Sequence, residues 1–330
     1  MARLVLHIGT HKTGTTMLQD TFHANRALLA RHGVIYPALG KHTGHHGLLT
    51  DWLKLPPAYN LPAGGIATLK LMAERLADTD KTLFLSSEEF SRGGGSGGQV
   101  DMAALGQIAR RFEQVTVICV LREQWQFLQS VYLEVARTRT PDRPPEMIEK
   151  AFETGMVDGL WCDYNALYDH ILNGFDPAAV QFFDYSSTVR AEGGILATVL
   201  NLLGTSLNVG DLTLVNGGKS NVSARPLSTW AGFAIAGGHN ASSQLMAACE
   251  TAFNLEFGPR PDTCLFTRTE RAAISDHFVP RNQRLAARIN QPGFAVRQTQ
   301  SLPSMMHRDD VTPDYWLRAA RRIYLGTLGA

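Results

Sequence analysis

The feature that most constrains this chain is the run "RLVLHIGTHKTGTTMLQD" at residues 3–20. A short stretch of apolar β-formers, 3–8, breaks at Gly9, passes a second glycine at Gly14 and continues in helix-compatible sequence. A strand that feeds a glycine loop and then a helix aims backbone N–H groups and the positive end of the helix dipole at one point. That point is an anion site. Gly9 permits the sharp exit from the strand, and Gly14 permits close backbone approach. Thr15 and Thr16 add hydroxyl donors, and Lys12 sets a point charge at the apex. The two glycines have Walker A spacing, but that motif follows its second glycine with Lys and Ser/Thr. Here two threonines follow, and the lysine lies inside the loop. The loop suits a phosphate or sulfate, and the misplaced lysine argues against an ATPase or GTPase.

The rest of the chain alternates strand-like and helix-like segments. A helix is expected from Thr15 to His32, ending at the cap glycine Gly33, followed by a brief extended piece at 33–37. "KTLFLSS" (81–87) and "VTVICVL" (115–121) read as buried strands, the second ending at Arg122. Asp101 is placed to cap a helix through Phe112, a further helix runs from Gln124 to Arg137, and "AVQFFDY" (179–185) and 193–204 form the next strand and helix. The glycine run "RGGGSGG" (92–98) reads as a mobile loop without regular structure. This alternation predicts an α/β fold, a P-loop-NTPase-like central parallel sheet with helices on both faces. A helical C-terminal portion follows, interrupted by a turn-rich stretch at 215–226. The expected organisation is a single domain over 1–330, with an α/β core at 1–204 and a mostly helical portion at 205–330.

Composition narrows the partners. Thirty-one Lys+Arg balance 30 Asp+Glu, a formal charge of +1, so the basic excess of a protein that lives on nucleic acid is missing. Cys119, Cys162, Cys249 and Cys264 are scattered without a C-x-x-C pair, which suits reduced thiols. No apolar stretch approaches a membrane span, and the N-terminal run is too short for a signal peptide, so the expected compartment is the cytoplasm. His42, His45 and His46 lie together in "KHTGHHGLL", but no acidic or cysteine partner stands at ligand spacing, and no metal is expected.

"GTHKTGTT" is similar to the 5′-phosphosulfate loop of sulfotransferases that use 3′-phosphoadenylyl sulfate (PAPS), in which a lysine precedes Ser/Thr-Gly-Thr-Thr. Lys12, Thr13, Gly14, Thr15 and Thr16 match position by position. In "VICVLREQWQFLQSVY", Arg122 and Ser130 stand eight residues apart at a strand end and on the following helix, as do that family's contacts to the 3′-phosphate. "VQFFDYSS…ILATVLNLLG" resembles the family's later strand–helix unit, with Tyr185 at the strand end. The match runs in order over residues 3–204.

The resemblance implies sulfuryl transfer from PAPS to a hydroxyl or amine, with PAP (3′-phosphoadenosine 5′-phosphate) as product. It places a base, histidine or glutamate, at the end of the second core strand. Glu88 occupies that place, with Glu89 beside it and a histidine of 42–46 as competitor. His46 is the one taken to share the proton work or line the acceptor pocket. Neighbouring side chains on an extended segment face opposite ways, so one of the two glutamates is expected to point inward. His11 is expected beside the phosphosulfate, where many relatives carry proline. Met17 replaces the adenine-stacking tryptophan of cytosolic members, and the Arg-Lys-Gly segment of those enzymes has no copy, leaving Lys219 as a substitute cation. The acceptor expected is a small molecule, glycoside or oligosaccharide, since a long polyanion would favour a broad basic face. The alternatives are a P-loop small-metabolite kinase and a catalytically inactive nucleotide-binding protein. The oligomeric state is open.

Overall fold

The computed structural model describes residues 2–328 apart from 96, 219–223, 260–261, 290, 292 and 299–303, so Lys219 lies outside the described residues. Five strands form one parallel sheet: β1 (Arg3–His7), β2 (Val34–Ile35), β3 (Thr82–Ser86), β4 (Gln114–Leu121) and β5 (Val180–Asp184). Their order across the sheet is β2-β3-β1-β4-β5, with every neighbour parallel. The first strand in sequence is therefore the middle one in space, and its Leu6 stands opposite Leu85 on one side and Val117 on the other.

Successive strand residues point to opposite faces. Leu4, Leu6, Leu83, Leu85, Val117 and Cys119 pack on one side with Leu69 and Ala73 of the helix Gly65–Leu76, and with Met102, Leu105 and Leu167. Val5, Phe84, Ile118 and Val120 pack on the other with Leu18, Phe22, Leu196 and Val199. Phe22 meets Phe84 edge-on at 5.1 Å. Covering both faces explains why these strands read as unbroken apolar runs. The α/β reading, a parallel sheet between two helical layers, is what the chain adopts.

Two segments differ from the sequence expectation. The stretch read as one helix from Thr15 to His32 is two, Thr15–Ala24 and Arg26–Arg31. The break falls at Asn25, whose Nδ2 donates to the carbonyls of Thr21 (2.8 Å) and Thr213 (2.9 Å), while its Oδ1 accepts the Thr213 N–H at 2.9 Å. A side chain that bonds distant backbone competes with the helix ladder. The glycine run also carries regular structure where Gly93–Gly94 pairs antiparallel with Gly97–Gly98. A Cβ on Gly98 would lie 2.2 Å from the His170 ring, and one on Gly93 would lie 2.7 Å from Met156 Sδ. Glycine serves here for close approach.

Strand β5 is an edge. Its Phe182 N–H donates to Gln291 Oε1 (3.0 Å) and its Phe182 carbonyl accepts from Gln291 Nε2 (2.6 Å), so one side-chain amide completes the ladder as a neighbouring strand would. The other edge, β2, is two residues long.

The chain divides into two compact units. The sheet belongs to the first, Met1–Glu123, Thr154–Asn221 and Pro280–Arg297; the second comprises Gln124–Glu153, Val222–Val279 and Gln298–Ala330. The second unit is helical. Its core gathers Leu227, Ala231, Cys249, Ala252, Phe253, Tyr315 and Ala319 from the helices Pro226–Ile235, Ser243–Phe257 and Pro313–Leu328. Arg225 lies over the Phe253 ring at 4.6 Å and pairs with Glu250 at 2.8 Å. Cys119, Cys162, Cys249 and Cys264 are all buried. Among the described residues, no helix is long and apolar enough to cross a membrane.

Asn25→Ala should lower the unfolding free energy by about 1–3 kcal/mol, because it strips both partners from the Thr213 backbone. Urea denaturation of the variant beside the parent protein checks this; an unchanged midpoint would mean that water replaces the amide at no cost.

Candidate active site

The loop between β1 and the first helix is held rigidly by its neighbours. Thr10 N–H and Oγ1 both donate to the Val120 carbonyl at 3.0 Å, and Thr13 Oγ1 donates to the Thr10 carbonyl at 2.6 Å. Lys12 sits at φ +63°, left-handed backbone that costs an L-residue about 1–2 kcal/mol. Arg122, leaving β4, donates from Nη1 to the Lys12 carbonyl at 3.1 Å. Arg122 is itself braced: its guanidinium lies over the Tyr185 ring at 4.7 Å, and its carbonyl accepts the Tyr164 hydroxyl. Burial pulls the Arg122 guanidinium below its ordinary pKa, against the opposing pull of Tyr185, Tyr164 and Glu123.

Gly14 precedes the helix at φ +85° and supplies no side-chain cap. The N–H groups of the first turn, from Thr15 onward, are those a helix leaves without internal partners. A Cβ on Gly14 would meet no heavy atom within 4 Å, so the end of the helix opens onto free space. Thr15 is buried and Thr16 exposed at that end. Gly9 is the opposite case: at φ +98°, a Cβ there would lie 3.0 Å from Glu88 Cβ. The missing side chain lets the end of β3 close onto the loop.

At the end of β3 the chain turns. Ser87 caps a short 3-10 helix, Glu88–Ser91, its Oγ accepting the Glu89 N–H at 3.2 Å. The expectation that Glu88 and Glu89 face opposite ways assumed an extended segment; in a turn, both carboxylates join one cluster. Glu88 Oε2 accepts from Gln19 Nε2 at 2.9 Å. Glu89 Oε1 lies 3.3 Å from His11 Nε2, and its Oε2 lies 3.6 Å from Arg92 Nε. His46 Nδ1 lies 2.8 Å from Ser87 Oγ. Tyr59 completes this side, stacked on His42 at 4.1 Å and edge-on to His46 at 5.3 Å.

Opposing effects set the charge of the cluster. Burial pushes the Glu88 carboxyl up, but His11, His46, its own backbone N–H and Gln19 outweigh it, and the net shift is downward. Glu89 behaves likewise: burial raises it, and His11, Arg92 and His46 bring it below the usual carboxylate range. Both are therefore ionised at neutral pH. Behind them, burial drives His7 down to about 4 against the pull of Glu88. His45 falls to about 4 for the same leading reason. The Ser86 N–H donates to His45 Nδ1 at 2.8 Å, which leaves the other ring nitrogen to donate to the Pro37 carbonyl at 2.9 Å.

The structure thus gathers Lys12, His11, Thr13, Gly14, Thr15, Thr16, Glu88, Arg122 and Tyr185 at the C-terminal ends of β1, β3, β4 and β5, with His46 against Ser87. Ser130 lies on the helix Gln124–Val135 of the second unit, half-buried. Gln19, Ser87, Arg92, Tyr59 and Tyr164 escaped the sequence reading. Gln19 carried a signal, being a polar residue beside Leu18 and Phe22 on the inward face of an amphipathic helix. A cavity of about 660 Å3 bounded by Val180, Gln181, Thr198, Asn201 and Leu202 lies beside the start of β5 and takes no part in this cluster. Among the described residues, no three His, Cys, Asp or Glu side chains converge as metal ligands do.

No family model matches the chain, and no curated protein sequence is significantly similar to it. Among solved structures, a sulfotransferase from Alicyclobacillus acidocaldarius aligns with 87% of this chain and 95% of its own at 13% identity, with a TM-score of 0.47. That likeness is too distant to carry a function, which has to rest on the residues themselves.

The two buried histidines make the molecule acid-sensitive. An imidazole held near 4 in the fold and near 6.5 in the unfolded chain binds fewer protons when folded, so stability rises with pH through that window. The contribution is complete above about pH 6.5 and falls as pH drops toward 4, by about 2 kcal/mol per imidazole at pH 5. Denaturant unfolding at pH 7.5, 6 and 5 should show this loss, and His45→Gln should flatten the slope. Equal stability at all three pH values contradicts neutral burial.

Proposed function

We propose that the protein is a PAPS-dependent sulfotransferase, a single cytoplasmic enzyme domain that sulfates a hydroxyl or amine of a small-molecule, glycoside or oligosaccharide acceptor. The observation that carries the reading is the uncapped helix end at Gly14, framed by Lys12 in left-handed backbone and by Arg122 bonded to the Lys12 carbonyl. Free space at Gly14 fits the approach of a phosphosulfate to the first-turn N–H groups.

The donor supplies the sulfuryl group, whose bond to the 5′-phosphate oxygen breaks as a bond to the acceptor forms. Lys12 offsets the charge left on that phosphate, assisted by the backbone of Thr13 and Gly14 and the hydroxyls of Thr15 and Thr16. The Thr13 hydroxyl already donates to Thr10, so its backbone is the part left for the donor. His11, fixed to Glu89, stands beside the loop. Arg122 takes the 3′-phosphate, with Tyr185 bracing the guanidinium; Ser130 and Lys219 are further 3′-phosphate contacts on the sequence resemblance alone. Glu88 takes the acceptor's proton: it is ionised at rest and lies against Gly9 at the loop's entrance. His46, bonded to Ser87, lines the acceptor side. No step requires a metal.

Titration with PAP at 100 times its dissociation constant should stabilise the fold by about 2.7 kcal/mol, moving the thermal midpoint by a few degrees. Arg122→Ala should abolish the shift. Glu88→Gln should keep it and lose about 10²–10⁴-fold in transfer rate. A shift with ATP–Mg and none with PAP replaces this reading with phosphoryl transfer to a small metabolite; PAP binding with no effect of Glu88→Gln replaces it with a nucleotide-binding protein without catalysis.

A further inference from the structure

We infer that Gln19 is a positioning residue for Glu88, fixing one carboxylate oxygen so that the other, Oε1, is the atom that receives the acceptor's proton. The inference rests on the reading of Glu88 as the base.

Gln19 is buried on the first helix, one turn beyond Thr15. Its Nε2 has three acceptors in reach: Glu88 Oε2 at 2.9 Å, Ser86 Oγ at 3.3 Å and the Ser86 carbonyl at 3.5 Å. Ser86 Oγ is held in turn by His7 Nδ1 at 2.8 Å. The carboxylate is thereby tied to a chain of buried groups that runs back under the sheet to β1. A Cβ on Gly44 would lie 2.5 Å from Gln19 Oε1 and 2.7 Å from His46 Nε2, so glycine at this position leaves the room that the amide and the ring occupy.

A hydrogen bond donated to an ionised carboxylate favours the ionised form. Gln19 therefore does two things at once: it occupies Oε2, and it adds to the larger effects of His11 and His46 that keep Glu88 charged. The other groups that act on this carboxylate are His7 from β1, His11 from the loop, its own backbone N–H and His46 from the segment before β3, with Tyr36 and Tyr59 coupled to it from that same segment. Gln19 Nε2 donates to Oε2, and together with the backbone N–H of Glu88 it orients the carboxylate. Gln19 and Thr15 belong to one helix, so the Gln19–Glu88 bond ties the proposed base to the element that follows the glycine loop.

Two substitutions test this, each by two readouts. Gln19→Leu removes the donor, and Gln19→Glu keeps the shape but opposes Glu88 with a like charge. The first readout needs no turnover: 13C NMR of the glutamate side-chain carboxyls in ligand-free protein, with the Glu88 signal assigned through Glu88→Gln. The Glu88 midpoint should rise in Gln19→Leu and rise further in Gln19→Glu. The second is the pH dependence of kcat with PAPS and a surrogate acceptor, whose acid limb should move up by the same amount while PAP affinity stays unchanged. Unmoved NMR midpoints overturn the inference. So does a loss of PAP affinity in step with kcat, which is the mark of a helix merely disturbed. Shifted midpoints in a protein that never uses PAPS leave Gln19 as the partner of Glu88 and overturn its catalytic meaning together with the sulfotransferase reading.

Discussion

Everything at the candidate site depends on the position of β1 between β3 and β4. Hydrogen bonding on both sides fixes its register against each neighbour, so the loop that leaves it arrives between the ends of the other two. One of those ends delivers Glu88 and Glu89, the other Arg122. The loop adopts no conformation of its own choosing: Val120 holds Thr10, Arg122 holds the Lys12 carbonyl, and Glu88 fills the space a side chain on Gly9 would need. A left-handed lysine persists because its surroundings over-determine it.

The strands and the glycine loop were legible in the sequence because both are local. "VTVICVL" is apolar over its whole length since both faces of β4 are covered, and the glycine spacing of the loop needs no partner to be recognised. What the sequence did not reveal comes from contacts between distant segments. Asn25 looks like an ordinary helical residue until Thr213 arrives to be bonded. The glycines at 93–98 look like a spacer until His170 and Met156 are seen against them. Glu88 and Glu89 seemed to diverge because an extended chain was assumed, whereas Ser87 turns the chain and turns both inward. The cation opposite Glu89 is Arg92, three residues on, a pairing that this turn makes possible.

The charge balance of the site follows from the same crowding. Burial alone would favour neutral carboxyls, yet His11, His46, Gln19 and Arg92 lie close enough to reverse it. Two ionised glutamates are therefore stored in a half-buried place, each with its own restraint. The histidines one layer deeper, His7 and His45, answer in the opposite manner: with no room for charge, they stay neutral and serve as hydrogen-bond partners of Ser86.

The side-chain amide of Gln291 on Phe182 has a consequence for how copies of this molecule meet one another. An open sheet edge is a template on which a further strand can add, and proteins guard against it by shortening or covering edge strands. Here each side uses a different guard. The β2 side is only two residues long, and on the β5 side the Phe182 N–H and carbonyl are already occupied from within the chain. A parallel sheet of hydrophobic strands, the kind most exposed to runaway stacking, thus ends on both flanks in backbone that offers a stranger little to hold.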